Sequence, residues 1–379
     1  MTGSLISTDN GFGLVAAFFS VAAFGFWSEG TKLGKLLSGV ILTIGAGAAL
    51  SNFRIIPFAS PVHDLVWSYA VPLAIPLLLF KADLRRIIPE AGPLLLAFVI
   101  AACGTIAGVV AGISLVDLGP LGPKIGATLA ASWIGGSMNF AAVSQALDLH
   151  DGAVLGAMAA SDNVGGTIFL TLLVLLPGSA LIRRLFPSKI MESAPGEDEA
   201  IEQEERKHFH IADLATALAL SSLCCLAGYS LAAVSGIPQF GVLFVTLAAL
   251  LLANFFPERM HRLNGDFDLG MYFMYIFFAV VGAGADILLM VRTALSIFAF
   301  TGIMASVHLA FVLAGAKLFR IDLAEALIAS NACALGPATA AAQAASQRWR
   351  TLVTPAVMLG ILGYASANFI GVALAKFLG

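Results

Sequence analysis

Residues 133–140 read WIGGSMNF, and this short stretch interrupts a segment that is otherwise apolar from residue 125 to residue 147. Two adjacent glycines disfavour a continuous helix, since each costs about 1 kcal/mol relative to alanine in a helix interior. Close helix packing through small residues is the alternative use of the glycines. Because Ser137 and Asn139 follow at once, we predict a broken helix that offers backbone carbonyls to a cation and a half-helix N-terminus to an anion.

The surrounding composition is that of a membrane protein. Of 379 residues, 59% are hydrophobic and 11% are charged, whereas a soluble chain carries about 25% charged residues. A spanning helix needs about 20 apolar residues, and we predict an all-α, multi-pass protein of the inner (cytoplasmic) membrane. The twelve predicted segments lie near residues 11–27, 35–53, 64–80, 91–116, 125–147, 152–176, 212–234, 238–256, 268–284, 293–316, 323–345 and 352–378.

The sequence contains none of the catalytic or metal-binding motifs considered below. The four cysteines have no CxxC spacing, which argues against a zinc site. No P-loop, HExxH or GxSxG motif occurs, so we predict no catalytic residue, no enzyme activity and no cofactor beyond a possible sodium ion. The net charge of −3 gives no indication of nucleic acid binding.

Two halves of the chain resemble each other. We predict a first repeat over residues 1–182, a charged soluble linker over 183–210 and a second repeat over 211–379. Residues 81–84 (KADL) and 284–287 (GADI) open matching segments 203 residues apart. Internal repeats of this kind are typical of secondary transporters. Six segments per half would give both repeats the same orientation, whereas inverted repeats require an odd number of crossings, so either one of the predicted segments is re-entrant or the segments are miscounted.

The second half has its own predicted break. Residues 331–339 read NACALGPAT, and Pro337 cannot continue a helix but suits the first position of a new one. Thr339 and Gln343 follow at a spacing of four, which places them on one helical face. Two breaks at matched repeat positions indicate a transport site between them.

The sixth segment carries an acid near its centre. Asp162 lies between Ser161 and Asn163, and an aspartate at the bilayer centre costs about 2.5–3.5 kcal/mol on insertion scales, so function is the default interpretation. A structural hydrogen bond is the alternative. The predicted ion-binding residues are Ser137, Asn139, Ser161, Asp162 and Asn163. The predicted substrate-binding residues are Gly135, Gly136, Gly336, Pro337, Thr339, Gln343, Asn331 and Asn368.

Residues 132–143 (SWIGGSMNFAAV), followed by 161–163 (SDN), resemble an uncharacterised bacterial and plant membrane family of unknown function. That family is grouped with the bile acid:sodium symporter and cation:proton antiporter superfamily. The resemblance implies inverted repeats, two crossed broken helices, and a panel domain that moves against a core domain. The glycines of the symporter signature Gly-Gly-x-x-Ser-Asn match Gly135 and Gly136, but Asn139 matches only if one residue is dropped. Asp162-Asn163 resembles the acidic pair of the antiporter branch in reversed order.

We therefore expect a secondary transporter that moves a small organic, anionic solute by symport with sodium or protons. One alternative is a cation:proton antiporter without organic substrate, with Asp162 as the carrier. Another is a non-transporting membrane scaffold or sensor, whose function would lie in the charged linker. The expected partners are the solute, the coupling ion and the lipid bilayer, and a homodimer stays open.

Overall fold

The computed structural model of the protein describes residues 4–37, 39–186, 188–192 and 210–379, and these are helical with no β-strand among them. The first half contains α1 (Gly11–Glu29), α2 (Lys32–Leu37), α3 (Gly39–Asn52), α4 (Pro61–Leu79), α5 (Leu84–Glu90), α6 (Pro93–Leu115), α7 (Gly122–Gly135), α8 (Ser137–Ala146) and α9 (Gly152–Leu175). The start of the predicted linker contains α10 (Ala180–Leu185) and α11 (Lys189–Glu192). The second half contains α12 (Ile211–Val234), α13 (Gly241–Phe255), α14 (Pro257–Arg262), α15 (Asp266–Ala283), α16 (Ile287–Phe319), α17 (Leu323–Ala334), α18 (Pro337–Ser346) and α19 (Arg350–Leu378).

Each of the twelve predicted segments contains one or two of these helices. Within the described residues, eight helices are long and apolar enough to cross a membrane. They are α1, α4, α6, α9, α12, α15, α16 and α19. The helices α3 and α13 are apolar but shorter. The two remaining segments are the broken pairs α7–α8 and α17–α18. Most of the predicted linker, residues 193–209, lies outside the described residues.

The broken pair α17–α18 is a hairpin. The Nδ2 atom of Asn331, before the break, donates to Oε1 of Gln343, after it, at 2.6 Å. These residues are 12 positions apart (343 − 331), which is about 18 Å along a continuous helix and beyond the reach of the two side chains. The chain therefore reverses direction between them.

The first broken pair, α7–α8, folds back in the same way. A Cβ atom on Gly371 of α19 would lie 2.9 Å from Cβ of Ala131 and 3.0 Å from Cγ2 of Val143. Ala131 and Val143 are also 12 positions apart (143 − 131), on either side of the break, yet they meet one point of α19. The predicted breaks are thus present, but the expectation of two crossed broken helices is corrected. In each broken segment the second helix folds back beside the first, whereas a crossed broken helix would continue to the other side of the membrane.

Contacts at the ends of the helices define two faces of the protein. The end of α9 meets the base of α18, where Gln347 donates to the carbonyl of Val174. The start of α12 meets the loop before α15 through Asn264 and Asp213. We call the face that contains these contacts, where residues 176–210 connect the halves, the linker face. At the opposite face, Gly152 packs on Gly284.

Helices at equivalent repeat positions pack against each other in opposite directions. Along α6 and α16 the close contacts run in reverse order: Gly104 with Phe311, Gly108 with Met304, and Gly112 with Phe300. The matched pair α4 and α15 is likewise reversed, since Leu78 meets Gly270 whereas Trp67 meets Phe277. Small residues allow this close approach of backbones within a membrane.

Asn52 and Asn254, which stand at equivalent positions of the two predicted repeats (SNF at 51–53 and ANF at 253–255), each bond to the other half. Asn52 donates to the carbonyl of Ala285 at 2.9 Å, and Asn254 donates to that of Ala82 at 2.9 Å. Oδ1 of Asn254 also accepts from the backbone N–H of Leu84 at 2.8 Å. Each half therefore fixes the loop of the other half that the sequence comparison had matched, which explains why these polar residues recur.

Candidate functional site

The two hairpins meet at their tips. Gly136 has φ 76° and ψ 179°, and Gly336 has φ 93° and ψ −177°, a backbone conformation essentially restricted to glycine. Three residues before each tip, the Sγ atom of Cys333 lies 3.4 Å from the carbonyl oxygen of Trp133. These contacts bring together Gly135, Gly136, Gly336 and Pro337, all predicted as substrate-binding, at one place.

Tyr364 of α19 lies beside both tips. Its Cε1 atom would be 3.2 Å from a Cβ atom on Gly136, and its hydroxyl would be 3.2 Å from one on Gly336. The side chain is partly exposed, and its hydroxyl forms no hydrogen bond with another described residue. Two close glycine contacts of α19 hold it in place, because Gly360 packs on Pro337 and Gly363 on the carbonyl of Ile134. A free hydroxyl therefore stands between the two tips.

The half-helices α8 and α18 start at these tips without a side-chain cap. The first backbone N–H groups of a helix have no partner within it and carry the positive end of the helix dipole. Each such end stabilises an anion by about 0.3–1 kcal/mol, and up to about 2 kcal/mol when partly buried. Ser137 is partly exposed at the first tip, and Ala338 is exposed at the second. The tips therefore suit a negatively charged group.

The polar residues of the second hairpin bind mainly each other. Thr339 donates through Oγ1 to Oδ1 of Asn331 at 2.8 Å, while Asn331 donates to Gln343. Gln343 in turn donates to the carbonyl of Leu173 at 3.2 Å, near the end of α9. The face predicted to line a substrate thus fixes the hairpin and caps α9. As substrate ligands, these three residues stay a prediction.

Asp162 contacts the first hairpin from α9. Its Oδ2 atom accepts a hydrogen bond from Ser132 Oγ at 2.7 Å. Ser132 is buried, whereas Asp162 is partly exposed. One turn further along α9, Gly166 packs on Leu335 at the second tip. The helix α9 therefore places a carboxylate next to the tips, on an element that contacts both hairpins.

The other predicted ion ligands lie in separate environments. Ser161 is buried and donates to Oγ1 of Thr301 on α16 at 2.8 Å. Asn163 donates to the carbonyl of Ala159 within its own helix at 2.8 Å. Asn139 donates to the carbonyl of Gly135. Among the described residues, no hydrogen bond joins Asn139 or Ser161 to Asp162.

Asn368 is separated from the other predicted substrate ligands. It is fully buried in α19, and its Nδ2 atom donates to Oγ1 of Thr246 on α13 at 3.0 Å. The Oδ1 atoms of Asn368 and Asn139 are both buried, and neither has a hydrogen-bond partner among the described residues. These oxygens are unusual, since buried polar atoms are nearly always satisfied.

A cleft of about 280 Å³ opens at the linker face between α5 and α19. Its mouth has charged residues, among them Lys81, which forms an ion pair with Asp266 at 2.8 Å. Its inner wall is apolar and includes Ile361, one turn before Tyr364. The cleft therefore approaches the hairpin tips from this side.

Sequence reasoning missed Tyr364 and Ser132. Ser132 stands directly before the quoted motif, but its role depends on α9 passing beside it. Tyr364 follows Gly360 and Gly363 in α19, and a tyrosine next to a close-packed glycine pair in a spanning helix is a signal that could have found it. The partner surfaces of both residues come from remote parts of the chain.

Comparison with known proteins agrees with the membrane character of the fold. The family described as "Protein of unknown function (DUF819)" matches residues 16–379. The chain is 35% identical over 388 aligned residues to the "Uncharacterized membrane protein YjcL" of Bacillus subtilis (strain 168), covering 97% of each protein. With eight spanning-length helices among its described residues, the chain is a polytopic membrane protein and belongs to this family of unknown function.

Proposed function

We propose that the protein is a secondary active transporter that moves a small organic anion across the cytoplasmic membrane, coupled to sodium or protons. The observation that carries this proposal is the meeting of two uncapped half-helix N-termini at Tyr364. Irregular backbone inside a membrane is tolerated where protein buries it or where it lines a cavity. In transporters, such half-helix ends bind anionic substrate groups near the midplane.

The directions of the helices support an inverted-repeat architecture. Each half has one hairpin that returns to its starting face and five further segments, which gives the odd number of crossings that inversion requires. The reversed packing of α6 on α16 is what a two-fold axis in the membrane plane would produce. The reciprocal bonds of Asn52 and Asn254 agree with the same axis. Inverted repeats allow one site to face either side in turn.

The distribution of basic residues supports one orientation. Of 20 Lys and Arg residues in the chain, four of the described ones belong to the opposite face: Arg54, Lys124, Arg292 and Lys376. The other described ones lie towards the linker face: in α2, around α5, in α10 and α11, in α14, at the end of α16 and in the α18–α19 turn. Because cytoplasmic loops are enriched in Lys and Arg, we place the linker face in the cytoplasm.

Asp162 is the proposed coupling carboxylate, acting either on sodium or on a proton. Its bond to Ser132 connects its state to the first hairpin. The same observation keeps a cation:proton antiporter as the second candidate, with Asp162 as the carrier and the tips as a gate. Symport and antiport differ in one respect: only a symporter binds an organic anion more tightly in the presence of the coupling ion.

The experiment is a stabilisation screen followed by transport. The melting temperature of the detergent-purified protein is measured with small mono- and dicarboxylates, and with the corresponding amides, in sodium and in choline at several pH values. A ligand that binds the folded state raises stability by RT ln(1 + [L]/Kd), about 2.7 kcal/mol at 100 times Kd. A stabilising carboxylate is then tested for uptake into proteoliposomes under a sodium or a proton gradient.

Tyr364→Phe and the matched control Tyr69→Phe, which changes an exposed tyrosine of α4, separate site effects from general ones. We expect Tyr364→Phe to weaken carboxylate stabilisation and uptake, and Tyr69→Phe to leave both unchanged. Sodium–proton exchange without any carboxylate effect would favour the antiporter. Absence of both stabilisation and transport would reject a transport function.

A further inference from the structure

Among the described residues, two fully buried amides each have a side-chain oxygen without a hydrogen-bond partner. Gln145, which is partly exposed, has a third such oxygen. Asn139 on α8 and Asn368 on α19 are both 0% exposed. The Nδ2 end of each is engaged, with the carbonyl of Gly135 and with Thr246 Oγ1 respectively. These bonds fix the orientation of both amides, so that the Oδ1 ends are held in the interior without a donor. An acceptor left this way indicates a missing partner, either a hydrogen-bond donor or a cation.

The two amides lie at the same level of one interface. The helices α8 and α19 run in the same direction, and Val143 contacts Gly371. One turn before that contact stand Asn139 on α8 and Asn368 on α19. A Cβ atom on Gly135 would also meet both Nδ2 of Asn139 and Cβ of Ala367, the neighbour of Asn368. Asn139 and Asn368 are therefore neighbours across the α8–α19 interface, beside the first hairpin tip.

The type of oxygen atom at this interface limits which cation could bind there. Amide and backbone carbonyl oxygens are hard donors, which suit alkali and alkaline-earth cations rather than transition metals. Carbonyl-type dipoles without a carboxylate can replace the hydration shell of a monovalent ion, as in potassium filters. Calcium sites, by contrast, draw on carboxylates to balance the double charge. Asp162, the acid that contacts this hairpin from α9, is bonded to Ser132 instead.

The equivalent region of the second hairpin gives an internal comparison. There, Asn331, Thr339 and Gln343 satisfy one another, and no side-chain oxygen of the three is left without a partner. The second hairpin needs no ion to complete its polar interior. Of the two hairpins, only the first has buried amide oxygens without a partner among the described residues, namely Oδ1 of Asn139 and Oε1 of the partly exposed Gln145.

We propose that Oδ1 of Asn139 and Oδ1 of Asn368 bind a monovalent alkali cation between α8 and α19, at a site separate from Asp162. This inference deepens the proposed function and rests on it for the role of the ion. The cation joins the first hairpin to α19, which also carries Tyr364. Binding there therefore orders the place where the tips meet, and couples the ion to the anion without direct contact.

The test uses the detergent-purified full chain. Its melting temperature is titrated with sodium, potassium and lithium, with choline making up the ionic strength, and no organic solute is added. We compare the wild type with Asn139→Ala, Asn368→Ala and Asp162→Asn. The control Asn264→Ala removes an exposed amide at the linker face. We expect a cation-specific rise that persists in Asp162→Asn and Asn264→Ala and is lost in both site variants.

Asn368→Asp protects the test against variants that simply fail to fold. It puts a carboxylate where the amide oxygen stands, so its stability should fall in choline and be restored by the selected cation to a larger extent than in the wild type. Loss of the cation response in Asp162→Asn, with retention in both asparagine variants, would overturn the assignment. An equal response to choline and all alkali cations would mean that water or no ligand satisfies the two oxygens.

These outcomes are distinct from a failure of the proposed function. If a cation binds at Asn139 and Asn368 but no carboxylate is transported, the cation site is supported and the symporter proposal is rejected. If a carboxylate is transported but no alkali cation binds, the transporter proposal is supported and the cation site is rejected.

Discussion

Replacing both partners of the bond between Asn331 and Gln343 tests the hairpin fold directly. In the structure, Nδ2 of Asn331 and Oε1 of Gln343 are 2.6 Å apart and both side chains are buried. Asn331→Ala leaves the Gln343 oxygen without this donor, and Gln343→Ala leaves the carbonyl of Leu173 without its donor. Each single change should therefore cost about 1–3 kcal/mol of unfolding free energy.

The informative quantity is the coupling between the two changes. Residues that share a hydrogen bond show coupling energies of about 0.5–3 kcal/mol in double-mutant cycles. We expect the double variant to lose about 1 kcal/mol less than the sum of the single variants, since the shared bond is lost only once. Unfolding free energies would be measured by reversible denaturation in mixed micelles.

A control cycle combines Asn331→Ala with Gln145→Ala. Gln145 lies at the base of the other hairpin and donates to the carbonyl of Trp67, so these changes should add within about 0.3–0.5 kcal/mol. If Asn331 and Gln343 were equally additive, they would not be neighbours. The segment would then be a continuous or merely kinked helix, and the hairpin reasoning would fail.

Three further predictions concern the tips, the orientation and the linker. Gly336→Ala should destabilise the protein by about 1–3 kcal/mol, because φ is 93° and the new Cβ would lie 3.2 Å from the Tyr364 hydroxyl. The control Gly302→Ala in α16, whose new Cβ would meet no atom within 4 Å, should leave stability unchanged. Equal melting temperatures of the two variants would contradict the strained tip. A membrane-impermeant maleimide should label Asp117→Cys in intact cells, because this exposed position lies at the opposite face. It should label Asn264→Cys, an exposed position at the linker face, only after permeabilisation. The reverse labelling pattern would show that the protein has the opposite orientation. Asp322→Ala should cost about 1–2 kcal/mol of unfolding free energy through loss of the α17 N-cap. It should also speed amide hydrogen exchange at Ile190 and Met191, because the neighbouring Ser188 donates a hydrogen bond to Asp322 at 2.5 Å. Unchanged exchange at these two residues would show that this bond does not hold the start of the linker against α17.

The sequence by itself determined the membrane segments and the two breaks, and it predicted the repeat. Each follows from a local property: the apolar length sets a spanning helix, glycine or proline at 136 and 336–337 interrupts it, and the shared spacing of polar residues indicates a duplication. The position of Asp162 in the sequence was also sufficient to predict an acid at the centre of a spanning helix. None of these inferences depends on where another part of the chain lies.

The tertiary structure decided what the breaks do and which polar groups are free. A glycine permits a reversal as readily as a kink, and the packing of α19 on both arms of the first hairpin selects the reversal. Periodicity placed Thr339 and Gln343 on one face, but only the position of α9 shows that this face bonds to Asn331 and Leu173. The burial of Oδ1 of Asn139 and of Asn368 without a partner depends on how α8, α13 and α19 pack together, because Asn368 bonds to Thr246, 122 positions away. No local pattern encodes this packing.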